Sequence, residues 1–350
     1  MQIVLIMGKL ILFIITCFFI LACTPKPEPA KLITVKGEIP VEAMGTSLIH
    51  EHVIVDWIGA DSTGSHRWDR SEIVARALPF MMEAKSRGVN TFFDCTPAYL
   101  GRDAEVLKEL AEKTGVNLVT NTGYYGARNN KFIPKQAFDA TPEELARIWI
   151  DEFKYGIDGT GIFPGFMKIS VGRSDTLSAF HTKLIKAAAI AHKNTGLTIV
   201  SHTGPDGPAF AQLKVLEDAG VSPEAFVWTH AQNGTSEGHI KAASLGAWIS
   251  LDNVRYIASG PDQDQGNIDW YVDQLTALKK EKLLHKILIS HDSGWYTVAE
   301  KNGGDFRDYN DIFDHLIPAL KENGFTQEDI DVLLVKNPRK AYAIQVRTIK

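Results

Sequence analysis

Disulfides, basic tracts and phosphate-binding glycine loops are what this sequence lacks. Its 350 residues hold three cysteines, too few and too oddly placed for an internal disulfide framework once an N-terminal leader carrying Cys17 is removed. No basic run longer than a few residues occurs and the net charge is −5, which disfavours nucleic acid as a partner. No glycine fingerprint follows the first strand candidate, as a doubly wound dinucleotide-binding sheet would often show. Repeats of fixed short period and low-complexity tracts are absent too. The 45% hydrophobic and 23% charged content is that of an ordinary globular protein, with enough apolar material for one large core.

No apolar run is long enough to span a bilayer comfortably. The stretch from Leu10 to Ala22, preceded by Lys9, reads instead as the h-region of a signal peptide. It ends in Ile20-Leu21-Ala22-Cys23, similar to a bacterial lipobox, although Ile20 is bulkier than the residue usual there. A proline-rich tether, Thr24 to Ala30, follows. The expectation is a signal peptide over 1–22, a lipidated Cys23 with its tether over 23–31, and one barrel domain over 32–350. Such a chain would be an exported bacterial lipoprotein, periplasmic or at the cell surface, touching the membrane through its lipid anchor only.

Beyond residue 46, short β-rich segments alternate with longer amphipathic ones. Strands are predicted at Ser47–Val55, Thr91–Thr96, Leu118–Thr122, Gly165–Ser170, Leu197–Thr203, Phe226–Ala231, Ala247–Asp252 and Lys286–Asp292. Helices are predicted at Ala104–Lys113, Pro142–Tyr155, Lys183–Thr195 and Ala209–Ala219. Eight strands alternating with helices imply a parallel sheet closed as a (β/α)₈ TIM barrel. Residues 32–45 are expected to form a small cap strand, and Thr326–Lys350 a closing helix broken at Asn337-Pro338.

The strand ends carry the chemistry. His50-Glu51-His52 closes the first strand, and residues two apart on a strand point to one side, so both imidazoles can face the interior. One such pair is common by chance. His202 ends the fifth strand, His230 the sixth and Asp292 the eighth, all at the C-terminal face where barrel enzymes keep their active sites. Four imidazoles and a carboxylate at one mouth form a ligand set for zinc or a similar divalent ion. Lys168 stands in the apolar fourth strand, where an unpaired ammonium ion is costly. It is either a lysine salt-bridged at the mouth, or a neutral amine that adds carbon dioxide to become a carbamate able to bridge two metals.

These features resemble the phosphotriesterase family, which includes parathion hydrolases (aryldialkylphosphatases) and phosphotriesterase-like lactonases, within the amidohydrolase superfamily. The resemblance runs from about Gly37 to Ala341. It rests on Gly45-Thr46-Ser47-Leu48-Ile49-His50-Glu51-His52, Gly101-Arg102-Asp103, Gly156-Ile157-Asp158-Gly159-Thr160-Gly161, Ser290-His291-Asp292 and Asn337-Pro338. It implies two divalent ions, zinc foremost and manganese, cobalt or iron as substitutes. His50, His52 and Asp292 would bind the more buried ion, and His202 and His230 the more exposed one. A CO2-derived carbamate on Lys168 would bridge them together with a hydroxide, and Asp292 would accept the hydroxide's proton. A homodimer is also implied.

Two positions depart from the efficient triesterases. Asn233 and Asn253 stand where those enzymes carry an acid and a histidine, and neither amide relays protons. Arg255 is the nearest basic residue to the place where many lactonases have one. The loop Ser293-Gly294-Trp295-Tyr296 lacks a longer apolar insertion. Trp57, Tyr124, Tyr125, Arg255 and Trp295 are the expected pocket residues, and Arg102 and Asp103 are read as structural. The function expected is hydrolysis of a small-molecule lactone, carboxylic ester or phosphotriester. Amide hydrolysis on the same site and non-catalytic ligand binding by a surface lipoprotein are the alternatives.

Overall fold

The computed structural model describes residues 30–255 and 267–349. The expected signal peptide and Cys23 lie outside the described residues. A hairpin comes first, β1 (Lys31–Thr34) paired antiparallel with β2 (Gly37–Pro40). The barrel positions follow as β3 (Thr46–Glu51), β5 (Val89–Asp94), β6 (Asn117–Val119) continued by β7 (Asn121–Thr122), β8 (Phe166–Ser170), β9 (Ile199–His202), β10 (Phe226–Thr229), β11 (Trp248–Leu251) and β12 (Ile287–Ile289). Two short strands, β4 (Ile54–Val55) and β13 (Tyr296–Thr297), pair with each other in the loops above. All pairings between barrel strands are parallel. The ring closes between the eighth and first positions, where Asp292 N donates to His50 O at 3.0 Å and His50 N donates to Ser290 Oγ at 2.9 Å. The expected TIM barrel is the architecture found.

Alternation along each strand separates two cores. Ile49, Phe93, Val119, Phe166, Val200, Val227, Trp248 and Leu288, one from each barrel position, share an interior cluster with Leu32, Val41, Met44 and Tyr342. The hairpin, the turn after it and the C-terminal helix therefore plug the base. Residues on the opposite strand faces, such as Leu48, Phe92, Met167, Ile169, Ile249 and Ile289, join the larger cluster beneath the helices. At roughly 1.5–3 kcal/mol for each large apolar side chain buried, these two layers are the main favourable term in folding. Helix ends follow local signals: Asp103, Thr141 and Ser178 cap their helices' first turns, and Gly115 and Gly196 close two helices in the left-handed region.

Three expectations need correction. The first strand does not run unbroken to Val55: Leu48 pairs with Phe92 and Glu51 with Asp94, so Ile49 and His50 together oppose Phe93. This is a β-bulge, which re-aims side chains. The cap strand is a two-stranded hairpin. The closing helix does not break at Asn337-Pro338, because Gln327–Asp331, a π-helical turn Val332–Lys336 and Asn337–Tyr342 run on without interruption. The wider turn relieves the clash between the proline ring and the carbonyl four residues back. Pro318 follows a second π-helical turn, Ile312–Leu316, in the same way.

Candidate metal centre

The backbone aims the polar side chains at one point above the interior plug. Phe166 and Lys168 share the inward face of β8, as Val200 and His202 share that of β9. His230 and Asp292 leave their strands with φ of 57° and 54°, a left-handed geometry uncommon for side chains of their size and worth a functional reading. Gly123 (φ 118°) crosses against the Lys168 backbone and Gly294 (φ 97°) against the His52 carbonyl, where any Cβ would collide. The glycines let these loops close tightly over the site.

Hydrogen bonds fix which ring nitrogen of each imidazole is free. His50 Nδ1 lies 2.8 Å from Asp252 Oδ2, and His230 Nδ1 lies 2.9 Å from Asp252 Oδ1. Each therefore donates from Nδ1 and keeps a lone pair on Nε2 for a ligand. Thr96 Oγ1 donates to Ile54 O at 3.0 Å, so it accepts from His52 Nδ1 at 2.8 Å and leaves His52 Nε2 as an acceptor. A histidine that ligates a metal is commonly oriented in this way, by an outer partner on its other nitrogen. Tyr125 Oη stands 3.2 and 3.3 Å from the two nitrogens of His202.

The consequence is a contact between acceptors. His52 Nε2 lies 3.1 Å from Asp292 Oδ1, and in the tautomer that Thr96 selects that nitrogen turns a lone pair toward the carboxylate. That carboxylate oxygen is buried without a hydrogen-bond partner. A cation between them removes the conflict, and the donor set fits a divalent ion. His50, His52 and Asp292 bring their ligand atoms within 4.8 Å of one another, as do His50, His230 and Asp252. The second trio works differently, because the oxygens of Asp252 already accept from both rings and from Ser250 Oγ at 2.7 Å. Asp252 holds the His50 and His230 rings in place.

Electrostatics prepare the same atoms. Burial, reinforced by Lys168, pulls the His50 imidazole down to about 4, so its ring is neutral at physiological pH. Burial, with His230 and Lys168, also holds His202 well below the usual histidine range. Burial acts on His230 in the same sense, but the charge and hydrogen bond of Asp252 outweigh it and raise that ring. The carboxyls of Asp292 and Asp252 stay below the usual range, since their imidazole neighbours override the desolvation that would raise them. Lys168 is buried, with Nζ 3.2 Å from His50 Nε2. Among the described residues it has no carboxylate within salt-bridge reach, so the salt-bridged alternative finds no partner.

A cavity of about 400 Å³ opens over these groups. It gathers His50, His52, Lys168, His202, His230 and Asp292, all six expected at the mouth, with Trp57, Tyr125 and Trp295 from the expected pocket. Tyr124 is not there. It faces the other side of its loop, edge-on to Tyr99 and Trp149, in a neighbouring cleft. Arg255 also stands outside this lining. Arg102 and Asp103 serve the frame: Arg102 pairs with Glu152 at 2.7 Å, and Asp103 takes Arg70 at 2.7 Å and Trp68 Nε1 at 2.9 Å. Asn233 turns back to the His230 carbonyl at 3.2 Å.

Sequence reasoning passed over Asp252 as a clamp, Glu51 as the brace of the eighth strand, and Arg128 and Arg307 at the cavity wall. Glu51 Oε1 accepts from Ser290 Oγ at 2.8 Å, His291 N at 2.9 Å and His291 Nδ1 at 2.8 Å, while its Oε2 accepts from Ser293 N at 2.9 Å. Its place between two inward-facing histidines was the available signal, since an acid there must be buried and needs partners.

The phosphotriesterase family model matches residues 30–342. The chain is 30% identical over 300 residues to the phosphotriesterase homology protein of Escherichia coli, covering 85% of this chain and 98% of that one. It is 29% identical over 320 residues to an aryldialkylphosphatase of Saccharolobus solfataricus, covering 88% and 98%. A solved structure from the engineering of organophosphate hydrolysis on a weak promiscuous lactonase template superposes with a TM-score of 0.78, at 25% identity, covering 89% and 99%. With the family model matched over most of the barrel, this chain belongs to the phosphotriesterase family of metallohydrolases.

Proposed function

We propose that this protein hydrolyses an ester-type bond (lactone, carboxylic ester or phosphotriester) in a small molecule at a pair of divalent ions. His50, His52 and Asp292 would hold one ion and His202 and His230 the other, with Lys168, as a carbamate, between them. The single observation that carries the reading is the opposition of His52 Nε2 and Asp292 Oδ1 at 3.1 Å in a buried cluster of free imidazole nitrogens. When bound, two such ions supply a nucleophile from water near neutral pH and polarise the oxygen of the scissile group.

The protein's own groups do the rest. Asp252 fixes the rings of His50 and His230, and Thr96 fixes that of His52. Asp292, ionised across the physiological range, takes up the proton of the attacking water. Tyr125 stays protonated because burial pushes its phenol up, so it offers an O–H donor beside His202. Trp57, Leu100 and Trp295 give the cavity an apolar wall that thins the water around the reacting bond.

Hydrolysis by residues 24–350, loaded with zinc, cobalt or manganese in bicarbonate buffer, tests the proposal. Lactones, aryl esters and an aryl phosphotriester are compared, with Asp292→Asn as the blank. Turnover of one ester class that vanishes in the variant is the expected result. Turnover of amides alone would replace the ester reading, and two bound ions without any turnover would replace it with ligand binding. We also propose that Cys23 carries a lipid anchor. In support, Ala30 enters at the barrel base beside Trp248 and Lys286, opposite the mouth, so a tether there leaves the cavity clear. Release of Cys23→Ser from the membrane fraction would be the sign of it.

A further inference from the structure

We infer that the substrate carries an anionic group (a carboxylate, phosphate or sulfonate) bound by Arg128 and Arg307 at the cavity wall. The inference rests on the hydrolase reading above and adds the charge of the molecule being cleaved.

Apart from Asp292 and Lys168, which the hydrolase reading assigns to the ions, the charged side chains of the cavity lining are two guanidinium groups, Arg128 and Arg307. Among the described residues neither arginine has a carboxylate within 4 Å, whereas Arg67, Arg70 and Arg102 elsewhere in the barrel are paired with Asp56, Asp103 and Glu152. Guanidinium groups left without counter-ions in a concave site with apolar walls raise the local concentration of anions. Bound divalent ions would strengthen that field.

Geometry then gives each arginine a station. The Asp292 carbonyl accepts from both Trp295 Nε1, at 2.8 Å, and Arg307 Nη2. Arg307 is thereby pinned beside the reacting centre by one N–H, leaving its other donors for a ligand. The Trp295 ring lies 4.0 Å from that of His52 and stacks on Trp57 at 5.5 Å with planes 14° apart. Arg128 Cζ caps this stack, 4.6 Å from the Trp57 ring. Its backbone sits at φ 52°, and so does that of Trp295 at 77° in the same positive region, a strain that loops keep where side-chain placement matters. A row of imidazole, indole, indole and guanidinium therefore runs from the metal centre outwards. It suits a substrate with its scissile bond at the histidines, a flat or apolar middle on the indoles, and an acid between the guanidinium groups that flank them, Arg307 at Trp295 and Arg128 at Trp57.

The test uses matched substrates with one scissile bond and a terminal carboxylate, phosphate or sulfonate, each beside its uncharged ester or amide. The kcat/KM ratio of charged over uncharged member is expected to exceed about 100, and to fall at least tenfold in Arg128→Met and in Arg307→Met. Arg307→Lys should recover part of it, since the charge survives and the fork does not. Calorimetry with glutarate, inorganic phosphate and methanesulfonate is read in parallel on the metal-loaded protein. Weaker binding of at least one probe, tenfold or more in the double Met variant, is expected, and the probe most affected names the acid. A ratio near one with both members turned over would overturn the inference and leave the hydrolase standing. Absence of turnover with arginine-dependent binding would sink the hydrolase reading and keep the anion site. Probe binding indifferent to both arginines would end the inference whatever the kinetics show.

Discussion

The lower layer of the barrel interior, Ile49, Phe93, Val119, Phe166, Val200, Val227, Trp248 and Leu288, is apolar throughout. Two residues further along seven of the same strands come Cys95, Asn121, Lys168, His202, Thr229, Ser250 and Ser290, each with a polar atom to satisfy. The first layer is complete in itself, because dispersion and exclusion of water need no particular partner. The second is complete only where a hydrogen bond or a cation reaches it. Together with the strand ends above it, it holds the contact of His52 with Asp292 and the partnerless Asp292 Oδ1. One strand set thus supplies stability below and chemistry above, and the two can be separated by substitution.

The largest expected effect is in the upper layer. Asp292→Asn should lower the hydrolytic rate by ~10²–10⁴-fold, the usual contribution of a positioned proton acceptor. The melting temperature of the metal-free protein should hold or rise, since an amide can donate to the His52 nitrogen that faces it. A variant that melts well below the native protein, both free of metal, would mean that Asp292 is structural. The lower layer predicts the reverse. Phe93→Ala, which removes a ring packed 4.2 Å from Tyr342 and 5.7 Å from Phe166, should cost about 3–5 kcal/mol in urea unfolding. Metal content per folded chain should stay at the native value. Loss of metal at unchanged stability would show that the layers are not independent. Between these lies Asp252→Asn, which leaves both layers in place and frees two rings. Chelator competition should show metal affinity weaker by ~10–100-fold.

Much of the upper layer was legible because chain chemistry and strand geometry agree there. A histidine or aspartate directly after a run of β-branched residues has one place to go in a closed parallel barrel, and His202, His230 and Asp292 are in it. Lys168 stood out as an ammonium among apolar neighbours. The bulge at Ile49–His50 was not legible, since nothing in Ser47-Leu48-Ile49-His50 marks a residue that gains no partner. Adjacent Tyr124 and Tyr125 could not both face the cavity by alternation alone, yet which one did depended on the loop that follows. Arg307 lies far along the chain from Trp57 and Arg128, and their meeting is set by the β4–β13 pairing, which has no local signature. Pro338 was read as a breaker from its own ring, whereas the π-helical turn before it absorbs the clash.

The smallest effect concerns a histidine at the opposite end, where no metal is expected. His192 is buried beneath the C-terminal segment; its Nδ1 donates to Leu197 O at 2.8 Å and its Nε2 accepts from Arg347 N at 2.9 Å. The second bond needs the neutral ring, because a protonated Nε2 cannot accept. Burial, and then the nearby Arg347 charge, lower its pKa, against hydrogen bonds that act the other way. A depressed folded-state pKa contributes stability that is present above the unfolded value of about 6.5 and is lost as pH falls below it. The urea midpoint should therefore drop between pH 7.5 and pH 5.5, and the drop should shrink in His192→Gln, whose amide does not titrate. Chelator should leave that difference between the two proteins unchanged, because the proton enters at the base and the ions at the mouth. If chelator erased it, the pH response would belong to the metal ligands and the two ends of the barrel would be coupled.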